Sequence, residues 1–155
     1  SLPDIDLVRR ALEEVVWAPS SCNRQTIVTT LVTNPVVANL CAEQNKGATC
    51  LSGSYLFLSV CADSRTYLYP QEFTLAGIDC SLGMQNALLM LHCMGLGACV
   101  LNWSQASLGE EEKLRELLGI EQYHDVIFNV VVGIPKFFVP VPDRKNIDEY
   151  IRILT

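Results

Sequence analysis

The sequence predicts one α+β domain, and three observations carry this prediction. Helical and strand patterns alternate irregularly along the chain, which is typical of an α+β fold. Half of the residues are hydrophobic, and 155 residues are enough to bury a substantial core. No internal repeat, low-complexity tract or linker interrupts residues 1–155, so the whole chain is predicted to form this single domain.

The first element is predicted to be a helix that begins after Asp4. An aspartate in this position is a typical N-cap, because its carboxylate accepts hydrogen bonds from backbone N–H groups that the first helical turn leaves free. Apolar residues then recur at helical spacing up to Pro19, namely Ile5, Val8, Leu12, Val15 and Val16.

Two strands and a short helix are predicted next. The run from Ile27 to Thr33 is rich in β-branched residues, which favour strands. Asn34-Pro35 breaks this strand, and a short helix from Ala38 to Glu43 is predicted after the break. The residues from Tyr55 to Ala62 are mostly apolar, which is typical of a strand in the interior of a sheet.

The longest helix is predicted from Gln71 to Met94, a stretch without proline that Gly95 ends as a C-cap. Its apolar residues lie on more than one side of the helix and include Leu75, Ile78, Leu82, Leu88, Leu89 and Met90. A helix that is apolar around much of its circumference needs partners on several sides. We therefore expect it to pack against its own sheet and against a second subunit.

Three further elements complete the predicted domain. Cys99 to Leu101 is predicted to be a short strand. The segment Ser107-Leu108-Gly109-Glu110 is a capping-box pattern that opens a helix through Leu118. The residues from Val126 to Val132 are nearly all apolar, as in a strand that is covered on both faces, and Gly133-Ile134-Pro135 ends this strand.

Composition argues against several classes of function. The net charge is −6 without a Lys/Arg cluster, which disfavours binding to nucleic acids or anionic membranes. No apolar run reaches the roughly 18 residues of a membrane-spanning helix. The seven cysteines form no Cys-x-x-Cys pair and the two histidines are far apart, so no metal site is predicted. We expect the thiols to stay reduced, as in the cytoplasm.

The segment from Ala18 to Gln25 is the most informative part of the chain for function. Small residues, a proline and an asparagine lie between a helix and a strand, which suits a loop that admits a flat ligand against its backbone. The amide of Asn23 offers both a donor and an acceptor, which matches the edge of a pyrimidine or flavin ring. An ordinary turn, in which Ser20, Ser21 and Asn23 satisfy local backbone groups, is the alternative.

With these elements in place, the chain resembles the nitroreductase family of flavin-dependent oxidoreductases. Four blocks in the order of the family carry the resemblance. They are Ala18–Gln25, the helix segment Ile78–Leu89, the segment Met94–Cys99, and Gly133-Ile134-Pro135 followed by Asp143–Glu149. The resemblance implies a central, mainly antiparallel sheet flanked by helices, with the long helix at the interface of a homodimer.

The resemblance also implies FMN at the subunit interface, NADH or NADPH as co-substrate, and a nitro, quinone or similar acceptor. A reduced nicotinamide donates hydride to the flavin, and the acceptor then enters the same pocket. By analogy, Asn23 binds the pyrimidine edge, and Leu101-Asn102 passes the flavin with its backbone. Arg144, with Lys145 as second choice, neutralises the phosphate. Other residues that shape or contact the site are Ser20, Ser21 and Gln25. No catalytic side chain is implied.

One feature of the family pattern is missing. Members usually begin, upstream of the first helix, with an Arg-Arg-Ser-x-Arg segment that grips the flavin. Arg9 and Arg10 lie inside the predicted first helix and are interpreted as solvated side chains. Either the upstream segment was removed, or the protein lost it and holds FMN weakly or not at all. The alternative function is therefore a non-catalytic module of the same fold that dimerises or holds flavin.

Overall fold

An antiparallel sheet forms the centre of the molecule. The structure is a computed structural model that describes residues 1–45, 51, 53–101, 103, 107–137 and 140–154. In it, four strands pair in the order β1-β2-β4-β3, and every pairing is antiparallel. The strands are β1 (Ile27–Val32), β2 (Tyr55–Asp63), β3 (Gly97–Leu101) and β4 (His124–Gly133). The predicted central antiparallel sheet is therefore confirmed.

Helices cover both faces of this sheet. They are α1 (Ile5–Glu13), α2 (Pro35–Ala42), α3 (Leu75–Cys93) and α4 (Leu108–Leu118). Alternate residues of β2 point to opposite faces. Leu56 and Leu58 pack in the cluster that α1 and α3 cover, whereas Phe57 packs in the cluster that α2 and α4 cover. None of the helices in the described ranges is long and apolar enough to cross a membrane.

The predicted starts of α1 and α4 are confirmed, whereas α2 begins at Pro35, where Asn34 caps it, and not at Ala38. Asp4 accepts a hydrogen bond from the backbone N–H of Asp6, and Ser107 caps α4 as predicted. The long helix begins at Leu75 and not at Gln71, because Pro70–Thr74 forms a short 3₁₀ helix. Glu72 in this turn accepts hydrogen bonds from the backbone N–H groups of Leu68 and Tyr69, the two residues that come before the turn. Those bonds cap the 3₁₀ helix, and the α-helix follows it.

Helix α3 is buried on one side and exposed on the other. Its buried side packs on the sheet and on the 3₁₀ turn Glu14–Trp17 that follows α1. At Gly83 a Cβ atom would lie 3.0 Å from Cγ1 of Val15, so the absence of a side chain permits this close packing. The opposite side exposes Ile78, Leu82 and Leu89, whose exposed fractions are 55%, 43% and 57%. An apolar face of this kind marks a surface for association.

Candidate functional site

The segment of residues 20–25, here called the Asn23 loop, has an unusual backbone. Cys22, Asn23 and Gln25 have φ angles of 53°, 54° and 50°, although none of them is glycine. The left-handed region costs an ordinary residue about 1–2 kcal/mol. Asparagine tolerates this region better than cysteine or glutamine does. The loop therefore has a conformation that its own residues do not prefer, and contacts outside it must hold it.

A buried carboxylate on α3 provides the first of these contacts. One oxygen of Asp79 accepts hydrogen bonds from the backbone N–H and the hydroxyl of Ser21, at 2.9 and 3.1 Å. The other oxygen accepts a bond of 3.0 Å from the hydroxyl of Tyr67. Asp79 is only 5% exposed, and no Lys, Arg or His side chain of the described residues lies within ion-pairing distance of it. Hydrogen bonds alone satisfy this charge.

Arg24 provides the second contact. Its guanidinium donates to the carbonyl of Thr66 and to the carboxylate of Glu72, both at 3.0 Å, and lies 5.2 Å from the centre of the Tyr67 ring. The side chain of Arg24 is 10% exposed. This arginine is thus engaged in holding the loop. Burial raises the pKa of Tyr67 to about 12, so its hydroxyl remains protonated and donates to Asp79 at neutral pH.

Inside the loop, the two serines act on the backbone. The hydroxyl of Ser20 accepts a bond of 3.0 Å from the N–H of Gln25, and the carbonyl of Ser20 accepts one of 2.9 Å from the N–H of Asn23. Ser21 is bound to Asp79. Local satisfaction of backbone groups, which the sequence left open as an alternative, therefore describes Ser20, whereas the hydroxyl of Ser21 binds a carboxylate 58 residues away. It does not describe the amide of Asn23.

The side chains of Asn23 and Gln25 are exposed and lie beside each other. Nε2 of Gln25 donates to Oδ1 of Asn23 at 3.3 Å. A cavity of about 100 Å³ adjoins the loop, and its walls include Pro19, Ser20 and Asp79. The loop thus presents two amide side chains at an accessible surface, with donors and acceptors still able to bind a ligand.

The other predicted site residues lie elsewhere in the chain. Leu101 ends β3 and is buried, with 4% of the residue exposed. Strand β3 is one edge of the sheet and β1, which follows the Asn23 loop, is the other edge. Three strand spacings separate them, which is about 14 Å. Asn102 lies outside the described residues.

Arg144 and Lys145 lie exposed in the C-terminal segment. The guanidinium of Arg144 donates to the carbonyls of Pro142 and Asp143, at 3.3 and 3.2 Å, and these are its immediate chain neighbours. Throughout the described ranges, no hydrogen bond or ion pair joins Arg144 to the Asn23 loop or to Leu101. A single chain therefore brings together Ser20, Ser21, Asn23 and Gln25 but leaves the other predicted residues apart.

Sequence reasoning missed the residues that hold the loop. Asp79, Tyr67, Arg24 and Glu72 belong to three different segments, and their association exists only after folding. One signal was present in the sequence: Asp79 is a single carboxylate between Ile78 and Cys80 in a largely apolar helix. A charge in such a position is rarely buried unless it has partners. The residues in the described part of the chain form no cluster suited to hold a metal ion.

Comparisons with known proteins agree with this architecture. The chain superimposes on an FMN-dependent nitroreductase from Clostridium difficile with a TM-score of 0.83 and 16% identity, over 99% of this chain and 89% of that one. A protein from Desulfovibrio desulfuricans, solved in complex with FMN, superimposes with a TM-score of 0.79 and 20% identity, over 97% of this chain and 85% of that one. For a nitroreductase family protein from Streptococcus pneumoniae, the TM-score is 0.77 and the identity is 19%, over 99% of this chain and 91% of that one. These likenesses establish the fold.

The family assignment rests on the sequence itself. None of the curated proteins that were searched matches the chain. The family model described as the Nitroreductase family matches residues 43–134, which is more than half of the chain. This chain therefore belongs to the nitroreductase family.

Proposed function

We propose that the protein is an FMN-dependent oxidoreductase that transfers hydride from NADH or NADPH through the flavin to a nitro, quinone or similar acceptor. The observation that carries the proposal is the Asn23 loop, which is held in a left-handed conformation and presents the amides of Asn23 and Gln25 at the surface. The FMN-dependent relative from Clostridium difficile and the FMN complex from Desulfovibrio desulfuricans support the choice of cofactor.

The chemistry of the available groups fits FMN. An amide offers the donor and the acceptor that the pyrimidine edge requires, and Asn23 is exposed to provide both. Arg144 and Lys145 are exposed cations suited to a phosphate, in a chain whose net charge is otherwise negative. The backbone at Leu101 lies on an edge strand, where one side of the strand faces away from the sheet.

When bound, FMN would supply the hydride chemistry, and the protein would supply binding and orientation. In this proposal, Asn23 fixes the orientation of the ring and Arg144 fixes the phosphate end. By the family resemblance, the backbone of the segment Leu101-Asn102 would offer a donor to the ring, where a fixed donor stabilises developing negative charge. Ser20 and Ser21 keep the loop in shape through their hydrogen bonds.

We further propose that two copies of the chain complete the site. The Asn23 loop and Leu101 lie at opposite edges of one sheet, and Arg144 lies on a segment without hydrogen bonds to either in the described ranges. The exposed apolar face of α3 offers a surface for a second copy. The C-terminal segment also exposes apolar side chains, namely Ile147, Tyr150, Ile153 and Leu154. A homodimer would cover both surfaces.

The cytoplasm is our proposed compartment. The thiols of Cys41, Cys61 and Cys80 are free and buried in the core. Buried free thiols suit a reducing environment, in which disulfides rarely form.

The direct test is to measure flavin content and NAD(P)H oxidation of the purified protein. We expect visible flavin absorption after incubation with FMN, and oxidation of NADH or NADPH when a quinone or nitroaromatic compound is present. If the protein binds flavin without oxidising either nicotinamide, the alternative of a flavin-holding module is favoured. If it binds no flavin at all, the proposal fails.

Replacing Asn23 should weaken FMN binding. Glycine is the sharpest replacement, because it removes the amide and still accepts a φ of 54° without strain. Leaving polar atoms of the ring unpaired costs about 1–3 kcal/mol, so we expect Asn23→Gly to weaken FMN roughly ten- to hundredfold. Fluorescence titration of FMN measures this loss.

Cys22→Gly is the matched control for this substitution. Cys22 also has a left-handed backbone and is exposed in the same loop, so glycine there changes the flexibility of the loop but not the amide. We expect FMN affinity to stay within about threefold of the wild type. Equal losses in both variants would mean that loop flexibility, and not the amide of Asn23, determines binding.

Replacing Arg144 should weaken the binding of FMN but not that of riboflavin, which lacks the phosphate. A hydrogen bond to a charged group contributes about 1.5–3 kcal/mol, so Arg144→Ala should weaken FMN at least about tenfold and leave riboflavin unchanged. The loss should shrink as salt is added, because exposed charge pairs are screened. Arg152→Ala, at another exposed arginine of the same segment, is the control. A similar loss for both flavins would remove Arg144 from the phosphate site.

A further inference from the structure

Asp79 occupies a place where packing alone would favour an apolar side chain. It is the fifth residue of α3, and its neighbours Ala76, Cys80 and Gly83 are all buried. A buried carboxylate is unfavourable unless hydrogen bonds or a cation compensate for the lost water. Here three hydrogen bonds from Ser21 and Tyr67 provide the compensation. The charge is thus used to hold another part of the chain.

The bonds to Asp79 act on the residue that leads into the left-handed backbone. Both donors of Ser21, its N–H and its hydroxyl, bind the same oxygen, so the orientation of this residue is fixed directly before Cys22. Tyr67 binds the second oxygen and thereby fixes the plane of the carboxylate. At the other end of the loop, the hydroxyl of Ser20 holds the N–H of Gln25. The backbone between these bonds includes Asn23.

Arg24 does not replace this anchor. Its guanidinium fixes the loop to Thr66 and Glu72, on the segment between β2 and α3. These bonds start from a long side chain, whereas the bond from Ser21 to Asp79 starts from the backbone itself. The backbone bond therefore constrains the dihedral angles of the loop more directly.

We propose that Asp79 is a positioning residue that sets the conformation in which Asn23 meets the flavin. This inference rests on the proposed function, because it assigns Asp79 a role in binding flavin that is exerted through the loop. Asp79 need not touch the ring for this role. Its contribution is to preorganise the loop, so that binding does not have to order three left-handed residues.

The test compares two variants at position 79 with one variant at its partner Tyr67. Asp79→Leu has a similar size and removes both acceptor oxygens. Asp79→Asn keeps one carbonyl oxygen that accepts from Ser21. Tyr67→Phe keeps both carboxylate oxygens and removes the hydroxyl that orients them. We expect Asp79→Leu to weaken FMN and riboflavin equally, by about tenfold or more, and Asp79→Asn to restore most of this loss. Equal effects on the two flavins indicate that recognition of the ring is disturbed.

A double-mutant cycle distinguishes positioning from a general structural effect. If Asp79 acts through Asn23, Asp79→Leu should have almost no further effect on binding in the Asn23→Gly background. If the two losses of FMN affinity multiply in the double variant, Asp79 acts independently of Asn23 and the inference is overturned. Lys113→Ala, at an exposed residue of α4 on the opposite face of the sheet, is the control and should leave flavin affinity unchanged.

Amide hydrogen exchange gives a readout that does not depend on flavin. In the protein without flavin, Asp79→Leu and Tyr67→Phe should both speed exchange in the Asn23 loop, with little change in β2. The milder Tyr67→Phe keeps this measurement possible if Asp79→Leu fails to fold. Unchanged exchange in a folded variant overturns the inference while the proposed function stands. A wild-type protein that binds no flavin, with faster exchange in the variants, overturns the proposed function and confines Asp79 to holding the loop.

Discussion

The double substitution Leu82→Arg and Leu89→Arg should convert the protein into a folded monomer. Both leucines lie on the exposed face of α3, where the proposed dimer would bury them. Two arginines in each copy would place four positive charges in one apolar interface. An uncompensated buried charge costs several kcal/mol, so we expect a total loss of at least about 5 kcal/mol of association energy. This corresponds to a dissociation constant several thousandfold larger.

Light scattering across a wide range of dilution measures the association, and circular dichroism shows whether the variant remains folded. Leu108→Arg is the matched control, because Leu108 is also an exposed leucine but lies on α4, on the opposite face of the sheet. Since the proposed site needs two copies, the monomer should also lose FMN. A wild-type protein that is monomeric at every concentration would contradict both the dimer and the shared site.

Alkaline pH should unfold the protein through its buried thiols. Burial raises the pKa of Cys41 from 9.0 to about 11 and that of Cys80 from 9.0 to about 12. Above pH 9 the unfolded chain releases these protons while the folded chain retains them, so the free energy of unfolding falls as pH rises. Each thiol contributes about 1.4 kcal/mol per pH unit in this window. The two together remove roughly 3 kcal/mol per unit, which is a large part of an ordinary stability of about 5–15 kcal/mol.

The stabilisation is fully present below about pH 9 and is lost progressively up to about pH 11 for Cys41 and about pH 12 for Cys80. Burial also raises the pKa of Cys61, which steepens the loss. Denaturant unfolding at a series of pH values gives the slope. Cys80→Ala should reduce the slope of the unfolding free energy against pH by the contribution of about one proton. Cys22→Ala removes an exposed thiol and should leave it unchanged. Equal slopes in the wild type and Cys80→Ala would show that the buried thiol does not drive alkaline unfolding.

Most of the fold was predictable because its elements are marked by local chemistry. The cap at Asp4, the break at Asn34-Pro35 and the capping box at Ser107 act within a few residues of themselves. Alternation and apolar runs then identified the strands, and the family resemblance supplied their antiparallel arrangement, which the structure confirms. The predicted start of α3 was wrong by four residues, because Pro70–Thr74 forms a 3₁₀ helix that the absence of proline after Gln71 does not reveal.

The candidate site was predictable in part. The composition of the segment from Ala18 to Gln25 indicated a loop for a flat ligand, and the exposed amide of Asn23 is consistent with that expectation. The backbone conformation was not predictable, because no local preference places Cys22 or Gln25 in the left-handed region. Asp79, which holds the loop, is 58 residues away from Ser21 along the chain. The roles of Leu101 and Arg144 rest on the resemblance and stay predictions.

Four residues of α3 between positions 78 and 83 each meet a different environment, and this restricts the substitutions that the helix accepts there. Ile78 faces outward, Asp79 holds the loop, Cys80 packs in the core, and Gly83 admits Val15 at close range. A replacement at any of these four residues therefore alters a different constraint. Changes that the fold tolerates should consequently be found in the connecting loops, while these four positions of α3 accept few.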